Sequence, residues 1–69
     1  MTKVQAIRKV IEDNGGSADV ATIYNEITKY HRKAKESEHW QEEIRYVIYR
    51  EIHNNKTFRH VGYGLFGLI

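Results

Sequence analysis

Three amphipathic helices followed by a small β-hairpin are predicted for this chain, a mainly α domain of the α+β class. Three segments carry apolar residues at helical spacing, and residues 57–69 hold two short β-branched and aromatic runs around a glycine-containing turn. The chain has 69 residues without proline or cysteine. We therefore expect one domain, residues 1–69, with neither disulfide bonds nor thiolate metal ligands.

The first helix is predicted over residues 2–14. Thr2 and Gln5 have the spacing of a capping box, and Asn14-Gly15-Gly16 is typical of a helix end, since glycine accepts the left-handed conformation. Its buried stripe is expected to comprise Val4, Ile7, Val10 and Ile11.

A second helix is predicted over residues 19–31, with Asp19 as its N-cap. Its apolar stripe contains Val20, Ile23, Ile27 and Tyr30, with Tyr24 at the edge. A polar connector, residues 32–37, then leads to a third helix over residues 38–53. The apolar stripe of this third helix is the longest in the chain and contains Trp40, Ile44, Val47, Ile48 and Ile52.

The hairpin is predicted over residues 57–69, with its turn at Gly62-Tyr63-Gly64 and with Phe58, Phe66 and Leu68 pointing inward. Helix, helix, helix and hairpin in this order form the winged helix-turn-helix arrangement. In it, a C-terminal two-stranded wing closes the core of three helices. Ser17-Ala18 is a candidate third strand beside the hairpin, so two and three strands both stay open.

The third helix and the wing carry the side chains expected to bind double-stranded DNA. A helix-turn-helix protein places its last helix in the major groove, where arginine recognises guanine and apolar groups contact thymine. Base readout is therefore predicted for Arg45, Tyr46, Tyr49, Arg50 and His53. Phosphate or wing contacts are predicted for the local basic clusters and the wing tip, namely Arg32, Lys33, Lys35, Lys56, Arg59 and Tyr63.

Two carboxylates count against a simple DNA-reading helix. Glu42 and Glu43 lie in its first turns, where base contacts usually concentrate, and carboxylates repel phosphate. Three explanations stay open. The two side chains face away from the DNA, or one accepts a hydrogen bond from cytosine N4, or docking uses the middle of the helix and the wing.

Several parts of the chain resemble the HARE-HTH family of winged-helix domains. They are Ala6-Ile7, Gly15-Gly16, residues 23–27, residues 44–52 and the closing run from Phe58 to Leu68. The chain departs from that family at Ser17-Ala18, where proline and a branched apolar residue are common, and at Phe66, where tryptophan is frequent. The resemblance implies a targeting module attached to a larger transcription, chromatin, restriction or DNA-modification protein. We expect either such an N-terminal module or a very small regulator. The resemblance also implies contact with DNA, including DNA with modified bases.

A protein-interaction module is the alternative prediction. Tyrosine is enriched at interfaces, and Tyr24, Tyr46, Tyr49 and Tyr63 are expected to be exposed. The low net charge of +2 also favours this alternative. One similar protein, a subunit of bacterial RNA polymerase, works through a protein partner.

Catalysis, cofactors and metal ions are not expected. The four histidines lack ligand spacing, and no nucleophile motif or phosphate-binding loop is present. The longest uncharged stretch, residues 61–69, is too short to cross a membrane, and the N-terminus does not resemble a signal peptide. An intracellular location is expected, either in the cytoplasm with the nucleoid or in the nucleus.

Overall fold

Three helices and a three-stranded antiparallel sheet make up the protein, which the computed structural model describes over all residues, 1–69. The elements are α1 (Lys3–Asp13), β1 (Ser17–Asp19), α2 (Val20–Glu26) with a 3₁₀ turn (Ile27–Lys29), α3 (Trp40–His53), β2 (Phe58–Gly62) and β3 (Leu65–Leu68). None of the helices combines the length and the apolar character needed to cross a bilayer.

The first helix has the predicted caps. The Thr2 hydroxyl accepts from the Gln5 amide at 3.2 Å, and the Gln5 side chain accepts from the Thr2 amide at 2.9 Å. These bonds satisfy donors that a helix start leaves free. Beyond Asn14, Gly15 and Gly16 adopt φ values of +80° and +104°, which turn the chain into β1.

The second helix is shorter than predicted. Asp19 caps it as expected, accepting from the Thr22 amide at 2.8 Å, and this backbone hydrogen bond lowers the pKa of Asp19. The α-helix ends at Glu26, however, and only the 3₁₀ turn extends the helical segment beyond it. The predicted range 19–31 is therefore too long. Tyr30 lies just beyond that turn, half-buried, and its hydroxyl donates to Asp13 of α1.

The connector between α2 and α3 is anchored to the core, although its sequence is polar. Ala34 is only 1% exposed. Turn hydrogen bonds run from the Ala34 amide to the His31 carbonyl and from the Glu36 amide to the Lys33 carbonyl, both at 3.1 Å. The connector therefore has a defined backbone, and α3 begins at Trp40, two residues after the predicted start.

The sheet confirms the third strand, since β1 pairs antiparallel with β3 in the order β1-β3-β2. Ser17, Ala18 and Asp19 lie opposite Gly67, Phe66 and Leu65. In the hairpin β2–β3 the turn is at Tyr63-Gly64, and Gly64 has a φ of +68°. A register shift between His60 and Gly62 marks a β-bulge near this turn.

One hydrophobic cluster joins all of these elements. The predicted stripes supply most of it, and Phe58 and Phe66 point inward as expected; its members are Ala6, Ile7, Val10, Ile11, Ala18, Ile23, Ile27, Ala34, Ile44, Val47, Ile48, Phe58 and Phe66. Seven apolar or aromatic side chains pack around this cluster while keeping one side in solvent: Val4, Val20, Tyr24, Tyr30, Trp40, Ile52 and Leu68.

Gly67 is a position where a side chain would crowd the sheet. A Cβ atom there would lie 2.6 Å from Val61 Cγ1 and 3.1 Å from the Gly16 carbonyl oxygen. We expect Gly67→Ala to lower the free energy of unfolding by about 1–3 kcal/mol, the usual cost of overpacking, as measured by urea denaturation.

The same clash gives a double-mutant test. Because the shortest contact is with Val61, Gly67→Ala combined with Val61→Ala should be destabilised by less than the sum of the two single variants. Strictly additive effects would show that the Val61 side chain does not exclude a Cβ at position 67.

Candidate nucleic-acid interface

The solvent-facing side of α3, called here the α3 face, consists of Glu42, Tyr46, Tyr49, Arg50 and His53. These residues follow one another at three- and four-residue steps or lie next to each other, so they form one stripe opposite Ile44, Val47 and Ile48. Tyr46 is 65% exposed and Tyr49 is 48% exposed. The structure thus brings together four of the five side chains predicted for base readout.

Arg45, the fifth predicted reader, lies apart from the α3 face. It is half-buried, and its Nη1 donates to the Tyr24 hydroxyl at 2.6 Å. The Tyr24 ring in turn packs edge-on against Trp40, with the ring centroids 5.2 Å apart. Arg45 and Tyr24 therefore brace α3 against α2, and Tyr24 is not the freely exposed tyrosine that the sequence suggested.

Tyr46 and Arg50 lie one helical turn apart on the α3 face. The Arg50 guanidinium lies 5.8 Å from the centre of the Tyr46 ring, within the range of a cation–π contact. Its Nε is also 3.7 Å from a carboxylate oxygen of Glu51. These two neighbours orient the guanidinium of Arg50 while its side chain remains 44% exposed.

Tyr49 connects the α3 face to the hairpin. Its ring centroid is 6.1 Å from that of His60 on β2 and 5.9 Å from that of Phe66 on β3. His60 and Phe66 also contact each other, at 5.2 Å. Because Phe66 belongs to the core, this aromatic group fixes the position of the hairpin relative to α3.

The two early carboxylates of α3 have different surroundings. Glu43 accepts from Lys3 Nζ of α1 at 2.7 Å and from the Ser37 hydroxyl at 2.6 Å. The hydrogen bond from Lys3, followed by that from Ser37, lowers the pKa of Glu43. Glu42 stays on the α3 face, 3.4 Å from His39 Nδ1. Glu43 is therefore directed toward α1 while its side chain remains 41% exposed, and Glu42 is the carboxylate that lies on the α3 face.

The residues in and next to the hairpin that were predicted to contact DNA lie at the surface. Lys56, Arg59 and Tyr63 are all exposed, and Tyr63 at the turn is fully exposed. Arg59 Nε donates to the Leu68 carbonyl at 3.2 Å. At the junction with α3, Thr57 adopts a φ of +56°, unusual for a β-branched residue, while its hydroxyl donates to Glu51 at 2.9 Å.

The connector cations divide into two groups. Lys35 places its ammonium 4.8 Å from the centre of the Trp40 ring, so it covers the first turn of α3. Arg32 and Lys33 are exposed and line a separate depression with Lys29 and His31. Lys29 was not singled out by the sequence, because its proximity to Arg32 and Lys33 depends on the end of α2.

No group of three His, Asp or Glu side chains is placed to hold a metal ion, and every buried side-chain nitrogen and oxygen has a hydrogen-bond partner. The α3 face offers one oriented guanidinium, two aromatic hydroxyls and an imidazole next to a basic hairpin.

Comparisons of the chain with protein-family models, with curated proteins and with solved structures found no match. The interpretation of this surface therefore depends on its own residues.

The Tyr24–Arg45 contact can be tested by a double-mutant cycle. Tyr24→Phe and Arg45→Met each remove one partner, and we expect a coupling free energy of about 0.5–1.5 kcal/mol in urea unfolding, typical of one hydrogen bond. A coupling free energy near zero would show that Arg45 is free for other partners.

Glu43 should make stability depend on pH. Since its pKa is lower in the folded protein than its ordinary value of 4.5, its contribution is fully present above pH 4.5 and is lost as pH falls through the lowered value. Urea unfolding of wild type and Glu43→Gln across this range should give curves that converge at acidic pH. Parallel curves would contradict the contacts with Lys3 and Ser37. Comparison with Glu43→Gln also separates this effect from that of Asp19.

Proposed function

We propose that the protein binds double-stranded DNA as a winged helix-turn-helix domain, with α3 in the major groove and the hairpin against the flanking backbone or minor groove. The observation that carries this proposal is the grouping of Tyr46, Tyr49, Arg50 and His53 on one exposed face beside a basic hairpin. The order of the elements and the strand order β1-β3-β2 agree with this type of domain.

The dimensions of α3 support this proposal. Its 14 residues give a length of about 21 Å at 1.5 Å per residue, and the major groove, about 12 Å wide, admits one helix. In this arrangement Arg50 donates two hydrogen bonds to guanine O6 and N7. Tyr46 and His53 contact phosphates or a thymine methyl group. Tyr49 keeps the hairpin at a fixed distance from the reading side chains.

The carboxylates indicate which part of α3 approaches DNA. Glu43 accepts hydrogen bonds from Lys3 and Ser37, and the positive charge of Lys3 weakens its repulsion of phosphate. Glu42 remains exposed at the N-terminal end of the α3 face, where it disfavours close contact with the backbone. The middle and C-terminal half of α3, together with the hairpin, are therefore proposed as the principal contact. Of the three explanations for Glu42 and Glu43, this one agrees best with their surroundings.

The resemblance to HARE-HTH domains extends the proposal to the biological setting. A targeting module of a larger transcription, restriction or DNA-modification protein would use such a face, including for reading modified bases. A DNA partner also places the protein with the nucleoid or in the nucleus. Arg45 is left out of the proposed base contacts because Tyr24 holds it.

Fluorescence anisotropy with a duplex of about 20 base pairs at two salt concentrations tests this function. Steeply salt-dependent binding is expected, because cationic side chains release counterions from DNA. After selection of a preferred duplex, Arg50→Ala should lower discrimination against random sequence by about 1–3 kcal/mol.

Arg8→Ala is the matched control, since it removes one exposed charge from α1, away from the α3 face. It should leave discrimination unchanged. Absence of binding at low salt, or equal effects of Arg50→Ala and Arg8→Ala on discrimination, would contradict groove reading by α3.

A protein partner is the second candidate, and the groove between α1 and α3 favours it. Lys3, Glu42, Tyr46 and Val47 are among the residues that line this groove of about 530 Å³, and Tyr46 exposes most of its ring. Mixed charges around an aromatic ring suit a protein surface. Binding of a protein partner would support this candidate over DNA if salt hardly affects it and Tyr46→Ala abolishes it.

A further inference from the structure

A basic depression of about 380 Å³ lies where α2 ends and the connector begins. It is lined by Met1, Lys29, Tyr30, His31, Arg32 and Lys33, without a carboxylate among them. Arg32 and Lys33 have no carboxylate within 4.0 Å, and Lys29 has only Glu26, at 3.7 Å. The lining therefore concentrates cationic side chains that have few acidic partners in the protein.

The backbone of this depression is held from both sides. The His31 amide donates to the Ile27 carbonyl at 2.9 Å, the Tyr30 hydroxyl donates to Asp13, and Ala34 is buried in the core. Arg32 and Lys33 project from the short segment between these anchors. Ordering of the backbone before binding reduces the entropy that a ligand must overcome.

The depression precedes α3 in the chain, and residues 34–39 link its lining to Trp40, the first residue of that helix. Lys3, two residues after Met1 in the chain, bonds Glu43 in the first turns of α3, and Ser37 of the connector bonds the same carboxylate. Lys56, which precedes the hairpin, and Arg59 on β2 follow the opposite end of the helix in the chain. Cationic groups therefore precede and follow, along the chain, a helix about 21 Å long.

We propose that the basic depression, through Lys29, Arg32 and Lys33, is a phosphate-binding site for the DNA backbone. It contacts the DNA strand whose backbone borders the major groove on the side away from the hairpin. This inference rests on the proposed function and deepens it, because the domain then contacts both backbone strands that border the groove. Lys29 is the contact that the structure adds.

Two probes test the basic depression. In the first, ¹⁵N-labelled protein is titrated with inorganic pyrophosphate, and the amide signals of residues 29–33 are expected to shift while those of residues 46–53 do not. In the second, duplex binding is measured at several salt concentrations for the variant Lys29→Gln/Arg32→Gln/Lys33→Gln. The slope of log K against log salt should become shallower by about 2–3, close to one for each phosphate that the variant no longer neutralises.

Arg8→Gln is the control for loss of charge, because Arg8 lines a different depression that includes Glu12. It should change the slope by less than one-third of the effect of the triple variant. An unchanged slope in the triple variant, with duplex binding intact, would overturn the basic depression as a backbone site while leaving α3 as the reader.

The opposite result is also distinguishable. If pyrophosphate shifts the amide signals of residues 29–33 but the duplex does not bind, the basic depression stands as a phosphate site. The proposed DNA function then fails. If pyrophosphate shifts none of these residues, the phosphate site itself is overturned. Circular dichroism of the triple variant shows whether its fold is retained, which is expected because all three side chains are exposed.

Discussion

Burial of Ile44, Val47 and Ile48 in the common core is the constraint on which the rest of this surface depends. With 3.6 residues per turn, fixing that stripe inward leaves Tyr46, Arg50 and the rest of the α3 face no orientation except outward. Apart from Tyr49, which packs against Phe66, these outward residues are not part of the core, so the packing of the core does not set their identity. A rotation of α3 would expose the isoleucines, and the cost of exposing large apolar side chains prevents it.

Hydrogen bonds at each end of α3 fix the position of the helix along its own axis, which burial of the apolar stripe leaves adjustable. Hydrophobic burial is non-directional, so it does not by itself set the position of a helix along its axis. Lys3 and Ser37 hold Glu43 at the N-terminal end, and Thr57 holds Glu51 near the C-terminal end. These hydrogen bonds have preferred directions. Together they make the distance between the connector and the hairpin a fixed property of the fold.

Periodicity in the sequence was sufficient to predict the three helices, the hairpin and most of the core, because those features depend on neighbours along the chain. The end of α2 was predicted too late, since a tertiary contact between Tyr30 and Asp13 holds the chain beyond Glu26. Four of the five predicted readers lie on one face, but nothing near Arg45 in the sequence shows that Tyr24 would hold it. The grouping of Lys29 with Arg32 and Lys33 likewise depends on where α2 ends.

The distribution of charge reconciles a net charge of +2 with the proposed binding to DNA, a polyanion. Electrostatic attraction depends on local potential, and a partner meets only the charges on the surface that it approaches. Glu43 and Glu51 are engaged by neighbouring groups, which moderates their repulsion of phosphate. The cations at the basic depression and the hairpin keep most of their charge directed at solvent. A weakly basic chain thus presents a basic depression before α3 and exposed cations, Lys56 and Arg59, after it. In the proposed DNA complex, phosphate contacts would position the domain and the helix face would discriminate between bases.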